Sequence, residues 1–427
     1  MIDRIKQALQ DCGVDLWRIN DVTEESAELF FVKKQLDTRR FKDVRKFEVT
    51  VFRDVRDPAG GPPQRGFTSV VLLSSMPDGQ LRQELNSAYY AAQFAANPYF
   101  DLADPVQAPL KKKTGPLAQE PLADSAQRMA QSLFAPDVHE DAFLNSAEIF
   151  ITRTQHHILS SNGTNVSYTD AKANGEFVVQ CREPEDVEIH NTFSYNELEG
   201  EALSKKVAGA LSFVRDRARA QRILKSGRYD VVLSGNAVST VLHYYMDRSA
   251  AFMVYPKYST WQVGEKVQGQ AVAGAQLNLD LCATAPYSEE GIPMVDRPLL
   301  RAGELQVIHG PNRFCRYLGV TPTGGYQKLR CENTGKPFEE LKAGPCLWAV
   351  TFSDFQMDSM SGHFGGEIRL AYLIDENGKA TPVTGGSING SLFEAQEDLE
   401  FSSDRYETVD YSGPYGMKIK NVSVAGV

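Results

Sequence analysis

The spacing of apolar and polar positions divides the chain into two unlike halves. In residues 1–12, Ile2, Ile5, Leu9 and Cys12 recur at helical spacing and Gly13 follows as a stop, so a short opening helix is predicted. Residues 27–52 shift to a rough alternation rich in Phe, Val and Thr, which predicts a hairpin or meander, and residues 54–66 carry the prolines and glycines of a loop. Residues 66–73 predict a further strand. Ser75, Pro77 and Asp78 then supply helix-starting chemistry. Leu81, Leu85, Ala88, Ala92 and Ala95 mark a helix laid on the sheet, and Asn97-Pro98 stops it.

A connector rich in proline and lysine (103–121) leads to a second helix bearing Ala126, Met129, Ala130 and Leu133. Residues 147–179 return to period two, broken at Ser161-Asn162-Gly163, a hairpin-turn signal. Leu203, Val207, Leu211 and Val214 predict a long amphipathic helix whose polar face holds Lys205, Lys206, Arg215, Asp216 and Arg217. Beyond Lys225 glycine becomes frequent and short β-rich segments recur. One helix interrupts them, at about 236–248, after the apolar strand 229–233. The pattern predicts an α+β protein: an N-terminal domain of sheet and helices (1–222) and a mostly β C-terminal domain (223–427).

Composition narrows the function classes. With 45 Lys+Arg against 55 Asp+Glu the net charge is -10, which repels a phosphate backbone, and Lys111–Lys113 and Arg39-Arg40 are too short to override it. Nucleic acid is therefore not expected as a partner. The charged start of the chain lacks a secretory apolar run, and no stretch approaches the ~20 apolar residues that span a bilayer. Six scattered cysteines with no Cys-x-x-Cys pair point to reduced thiols, and the expected location is cytoplasmic.

Short motifs do not name a catalyst. His243 and Asp247 stand one turn apart on the helix at 236–248 and could share a face, but two ligands are not a metal site. His156 and His157 are strand neighbours that point to opposite faces. His363, in the glycine-rich segment 361–366, is a candidate for lining a cleft with Asp247. Residues 384–391 suit either a loop presenting backbone N–H groups or a tight turn between strands. No nucleophile elbow, dinucleotide fingerprint or phosphate loop occurs.

Ordered blocks carry more. Residues 371–379, the run Pro382-Val383-Thr384-Gly385-Gly386-Ser387-Ile388-Asn389-Gly390-Ser391-Leu392, and 419–426 closely resemble the endings of TldD/PmbA proteins. Residues 288–292 with 299–305, then 317–325, are similar to that family's middle signature, and the strand at 66–69 with its Ala-rich helix resembles its N-terminal half. The resemblance implies a two-domain α+β fold, dimeric assembly, and a role in cytoplasmic proteolysis or peptide maturation.

In the family's catalytic branch the corresponding helix carries His-Glu-x-x-x-His, with the glutamate as base for a zinc-bound water and a thiolate ligand near the C-terminus. Matched to that pattern, His243 takes the first ligand position, Tyr244 the glutamate and Arg248 the second histidine, and no cysteine follows Cys346. A phenol is no carboxylate base, and a permanent guanidinium repels a divalent cation. The expectation is thus no catalytic residue, no cofactor and no bound metal. The chain would be a non-catalytic TldE-like subunit, paired with a TldD-like zinc peptidase subunit or with itself, that handles unfolded or extended peptides and contacts neither nucleic acid nor membrane. Two alternatives stay open: an independent peptidase with a non-standard site, and a homodimeric peptide-binding or regulatory protein.

Overall fold

A computed structural model describes residues 1–56 and 60–427. Asp57, Pro58 and Ala59 of the expected loop lie outside the described residues. The opening helix α1 (Ile2–Asp11) ends where anticipated, with Gly13 at φ +66°. The strands after it are far longer than the alternation at 27–52 suggested: β1 is Leu16–Val32 and β2 is Gln35–Val55. Their turn is Lys33-Lys34, with Lys33 at φ +53°, so no glycine or asparagine marks it in the sequence.

Strand β3 (Gln64–Leu73) follows, then α2 (Asp78–Ala92) and β4 (Ala96–Pro98). The expected helix is therefore cut short: Ala95 lies outside it, and Asn97-Pro98 pair with β3. The connector 103–121 contains the one-turn α3 (Pro116–Gln119) and bridges to later strand residues at Gln107 and Lys111. Helix α4 (Leu122–Phe134), strands β5 (Ala142–Ser160), β6 (Asn165–Cys181) and β7 (Val187–Tyr195), and helix α5 (Gly200–Ala218) complete the domain. Its seven strands form one sheet in the order β4-β3-β2-β1-β5-β6-β7, antiparallel throughout.

Helices cover one face of that sheet in two groups. Ile5, Leu9, Leu81 and Leu85 of α1 and α2 pack on Ile19, Phe47, Val49 and Leu72, while Met129, Leu133, Leu203 and Val207 of α4 and α5 pack on Ile149, Ile151 and Phe177. Each fully buried side chain of this size contributes roughly 1.5–3 kcal/mol. His156 stacks on Tyr168 at 4.4 Å and His157 bonds Asn165, on opposite faces as alternation demands.

The C-terminal domain begins with β8 (Gly227–Ser234), α6 (Asn236–Arg248) and α7 (Ala251–Val254). Strands β9 (Leu279–Cys282), β10 (Arg297–Arg301) and β11 (Glu304–Leu305), helix α8 (Asn312–Leu318), strand β12 (Lys328–Cys331) and helix α9 (Phe338–Leu341) come next. The chain then runs through β13 (Cys346–Met357), β14 (His363–Ile374), β15 (Ala380–Val383), β16 (Ser387–Ser391), α10 (Leu392–Ala395), β17 (Glu400–Phe401), β18 (Arg405–Glu407), β19 (Tyr411–Pro414) and β20 (Gly416–Ala425). The expected β character holds, but α6 is not its one helix. Helix α8 escapes a periodicity reading because seven residues show too few repeats.

Two sheets organise this domain. One is β11-β10-β9-β12-β19-β18; in the other, β13-β8-β20-β16-β14 closes on itself because β14 also pairs with β13. Residues 384–386 make the turn entering β16, with Gly385 and Gly386 at φ +83° and +78°, and the Gly385 N–H is spent on the Ile368 carbonyl. The tight-turn reading of that segment therefore stands. The described helices include none long and apolar enough to cross a membrane, and all six cysteines are free.

Candidate functional site

Helix α6 owes its position to the strand before it. Val231, Val232 and Leu233 of β8 are fully buried between β13, which runs parallel to it, and antiparallel β20. Gly235 then turns the chain at φ +60°, ψ -126°, a conformation that strongly favours glycine, and launches the helix. Val238, Val241, Leu242 and Tyr245 are buried in the domain core, which fixes where the remaining faces of the helix point.

His243 stands between two carbonyls: its Nδ1–H donates to Ser239 at 2.8 Å, and its Nε2 lies 3.4 Å from the oxygen of Gln327. Asp247 does not share a ligand with it. Its carboxylate accepts the Ser359 hydroxyl at 2.6 Å. Nearby, buried His309 donates from Nε2 to the Met246 carbonyl at 2.8 Å, and burial pushes its imidazole below the ordinary value.

Tyr244 and Arg248 lie one turn apart on the same helix and are both buried. The Tyr244 ring meets Tyr245, Trp261 and Phe393 edge-on at 5.3–5.8 Å, and its hydroxyl has no hydrogen-bond partner. Burial raises that phenol to about 12. The Arg248 guanidinium donates through Nη1 to the carbonyls of Tyr258 at 2.5 Å and Met360 at 3.4 Å and lies over Trp261, 5.5 Å from its centroid. Among the described residues no carboxylate forms an ion pair with it, so carbonyls and an indole face neutralise this cation instead.

The loop between β13 and β14 supplies Ser359 and Met360, and His363 opens β14 just after it. The contacts with the helix therefore come from Ser359 and Met360, just before the glycine-rich segment. The His363 imidazole is exposed beside Ser361, with Nδ1 3.1 Å from its Oγ. Tyr258, Trp261, Met360 and Phe393 complete the corner, and no short-range signal in the sequence marks them.

The PmbA/TldA metallopeptidase C-terminal domain family matches residues 226–426, the span from β8 through β20 that holds this corner. Residues 226–426 belong to that family. The whole fold is similar to TldE from Thermococcus kodakarensis, with a TM-score of 0.78 at 14% identity over 99% of this chain and 100% of that one. It is also similar to candidate DNA gyrase modulators from Thermotoga maritima (TM-score 0.77, 15% identity, 99% of each chain) and Bacteroides thetaiotaomicron (0.76, 18%, 100% of this chain and 99% of that one).

The family of this domain implies a zinc ion at the helix, and the side chains present here do not fit one. The second-ligand position holds a cation pinned to two carbonyls and the base position holds a phenol inside an aromatic cage, which leaves His243 at the first position as a lone donor, and one ligand does not make a site. Among the described residues no three His, Cys, Asp or Glu side chains are gathered for a metal.

Proposed function

We propose that this chain is a non-catalytic, TldE-like subunit of a zinc metallopeptidase complex that acts on unfolded or extended peptides. One observation carries the reading: Arg248 occupies the second-ligand position as a buried structural pin, so the helix is kept for its architecture while its donor set has changed. A subunit of this kind shapes a peptide cleft and leaves hydrolysis to a partner whose own helix carries His-Glu-x-x-x-His. An extended peptide is gripped largely through its main chain, which asks little of particular side chains here.

The test is reconstitution. The purified chain is assayed for peptide cleavage alone, then after mixing or co-expression with a zinc-bearing TldD subunit from the same source. Cleavage confined to the mixture, together with co-purification of the two chains, is expected. Peptide cleavage by the chain alone that vanishes in His243→Ala would overturn the reading.

A further inference from the structure

Three arginines of this chain grip a carboxylate in the same way. Arg45, Arg65 and Arg215 each turn the Nε–Nη2 edge of the guanidinium toward both oxygens of an aspartate, Asp21, Asp54 and Asp141, at 2.6–3.0 Å. Arg248 is 8% exposed and uses its guanidinium differently: Nη1 donates to the Tyr258 and Met360 carbonyls, and the group lies over Trp261. Its Nε is buried without a partner, and among the described residues its Nη2 has none either, although Nη2 is not sealed from solvent. A buried guanidinium is ordinarily paired with a carboxylate, because an uncompensated charge in the interior is costly.

Tyr244 adds a second unused donor. It is fully buried, its hydroxyl has no partner, and its ring and the Arg248 guanidinium lie against the same indole of Trp261, one helical turn apart. Burial raises the Tyr244 phenol, and the Arg248 charge is near enough to oppose that effect. The carboxylates around the corner are already engaged. Asp358 accepts the Met360 N–H and the Ser361 hydroxyl, and Asp247 accepts the Ser359 hydroxyl.

We infer that this corner is a carboxylate site: the Nε–Nη2 edge of Arg248 takes both oxygens of an incoming carboxylate, and the Tyr244 hydroxyl donates to one of them. Tyr258, Met360 and Phe393 belong to the segments that form the corner, yet they are 55, 52 and 47% exposed, which offers apolar surface to the body of the ligand. The fitting class is therefore a monocarboxylate on an apolar group, whether a free organic acid or the C-terminal end of a peptide. Where the family's helix gathers donors for a cation, this helix takes an anion. The site needs nothing from a peptidase partner, so this inference and the proposed subunit role fail separately.

Calorimetric titration of the full chain tests it, with N-acetyl-L-phenylalanine and an N-acetylated pentapeptide ending in phenylalanine, each as free acid and as amide. The acids are expected to bind, and the amides about tenfold or more weaker. A peptide acid that binds well above acetylphenylalanine assigns the site to chain ends, and equal affinities assign it to free acids. Tyr244→Phe removes one unpartnered hydroxyl and keeps the aromatic cage, so the fold is retained while acid affinity falls about threefold to tenfold. Arg248→Lys keeps the charge without the fork and should cost the acids about tenfold or more, with circular dichroism as the check on folding. Acids and amides bound alike, no binding at millimolar concentration, or an acid affinity unaltered in Tyr244→Phe overturns the inference.

Discussion

The guanidinium of Arg248 lies over the indole of Trp261, 5.5 Å from the ring centre, and the same side chain donates to the carbonyls of Tyr258 and Met360. Two separate segments, 258–261 and the loop at Met360, are thus tied to the last turn of α6. Replacing Arg248 by alanine takes the donor from two carbonyls of exposed residues and strips the buried cation from the ring, which should cost about 2 kcal/mol. Urea denaturation of Arg248→Ala measures it. Arg248→Lys keeps the charge but not the planar stack, so it should recover only part of the loss.

Gly66 sits in β3 where the end of α2 comes closest. A Cβ there would stand 1.7 Å from the carbonyl oxygen of Ala92, a contact that backbone on both sides must absorb. Gly66→Ala is expected to destabilise the N-terminal domain by about 2–3 kcal/mol. The midpoint of chemical unfolding, followed through Trp17 fluorescence, reads the change. Gly79→Ala, at a position with open space around it, serves as the silent control.

Asp280 is buried on β9 between Arg301 of β10 and Arg330 of β12, with Arg330 Nη2 at 2.9 Å. Hydrogen bonding to Asp280 raises the Arg330 guanidinium above its ordinary value, against the effect of burial. Asp280→Asn removes the carboxylate the two cations share, leaving Arg301 without its ion pair and Arg330 with only Asp296, at 3.0 Å. Because both arginines reach solvent, the expected cost is about 2 kcal/mol, below that of a fully buried pair. A lowered Tm whose deficit shrinks in high salt would bear this out, and an unchanged Tm would not.

His309 gives the stability a pH dependence of known sign. Burial pushes its imidazole below 6.5, against the opposing pull of the Met246 carbonyl and Asp247, so the folded chain resists protonation there more than the unfolded chain does. Stability should be level above about pH 6.5 and fall as pH drops below that value, by up to ~1.4 kcal/mol per unit for this one group. His309→Gln keeps a donor for the Met246 carbonyl and should flatten the slope between pH 6.5 and 5, even where it lowers stability overall. An unaltered slope would assign the acid sensitivity elsewhere, with His156, also pushed down by burial, the next group to test.

Much of this was legible from residue order. The 3.6-residue recurrence of Leu203, Val207, Leu211 and Val214 located α5, and Ser161-Asn162-Gly163 located the β5–β6 turn, because each signal lies within a few neighbouring residues. The Lys33-Lys34 turn was not legible, since lysine carries no preference for the left-handed backbone it adopts there. At the site, His243, Tyr244 and Arg248 could be placed on one helix from spacing alone. Their surroundings could not: Trp261, Met360 and Phe393 reach α6 from three distant segments, and only tertiary packing brings them together. Asp247 and His363 were each named as cleft-lining candidates, and the partner Asp247 does meet, Ser359, carries no signal in the sequence.

The closed ring of the C-terminal domain sets an order of events during synthesis. Strand β8 emerges early, yet its two neighbours, β13 and β20, follow only after more than a hundred intervening residues have been made. The N-terminal sheet, by contrast, has every strand in hand by Tyr195 and can finish folding while the apolar stretch at 231–233 still waits. Pairings this distant in sequence close slowly. The nascent chain therefore passes through a stage with one finished domain and one exposed, unpaired strand, when it is most dependent on protection from aggregation.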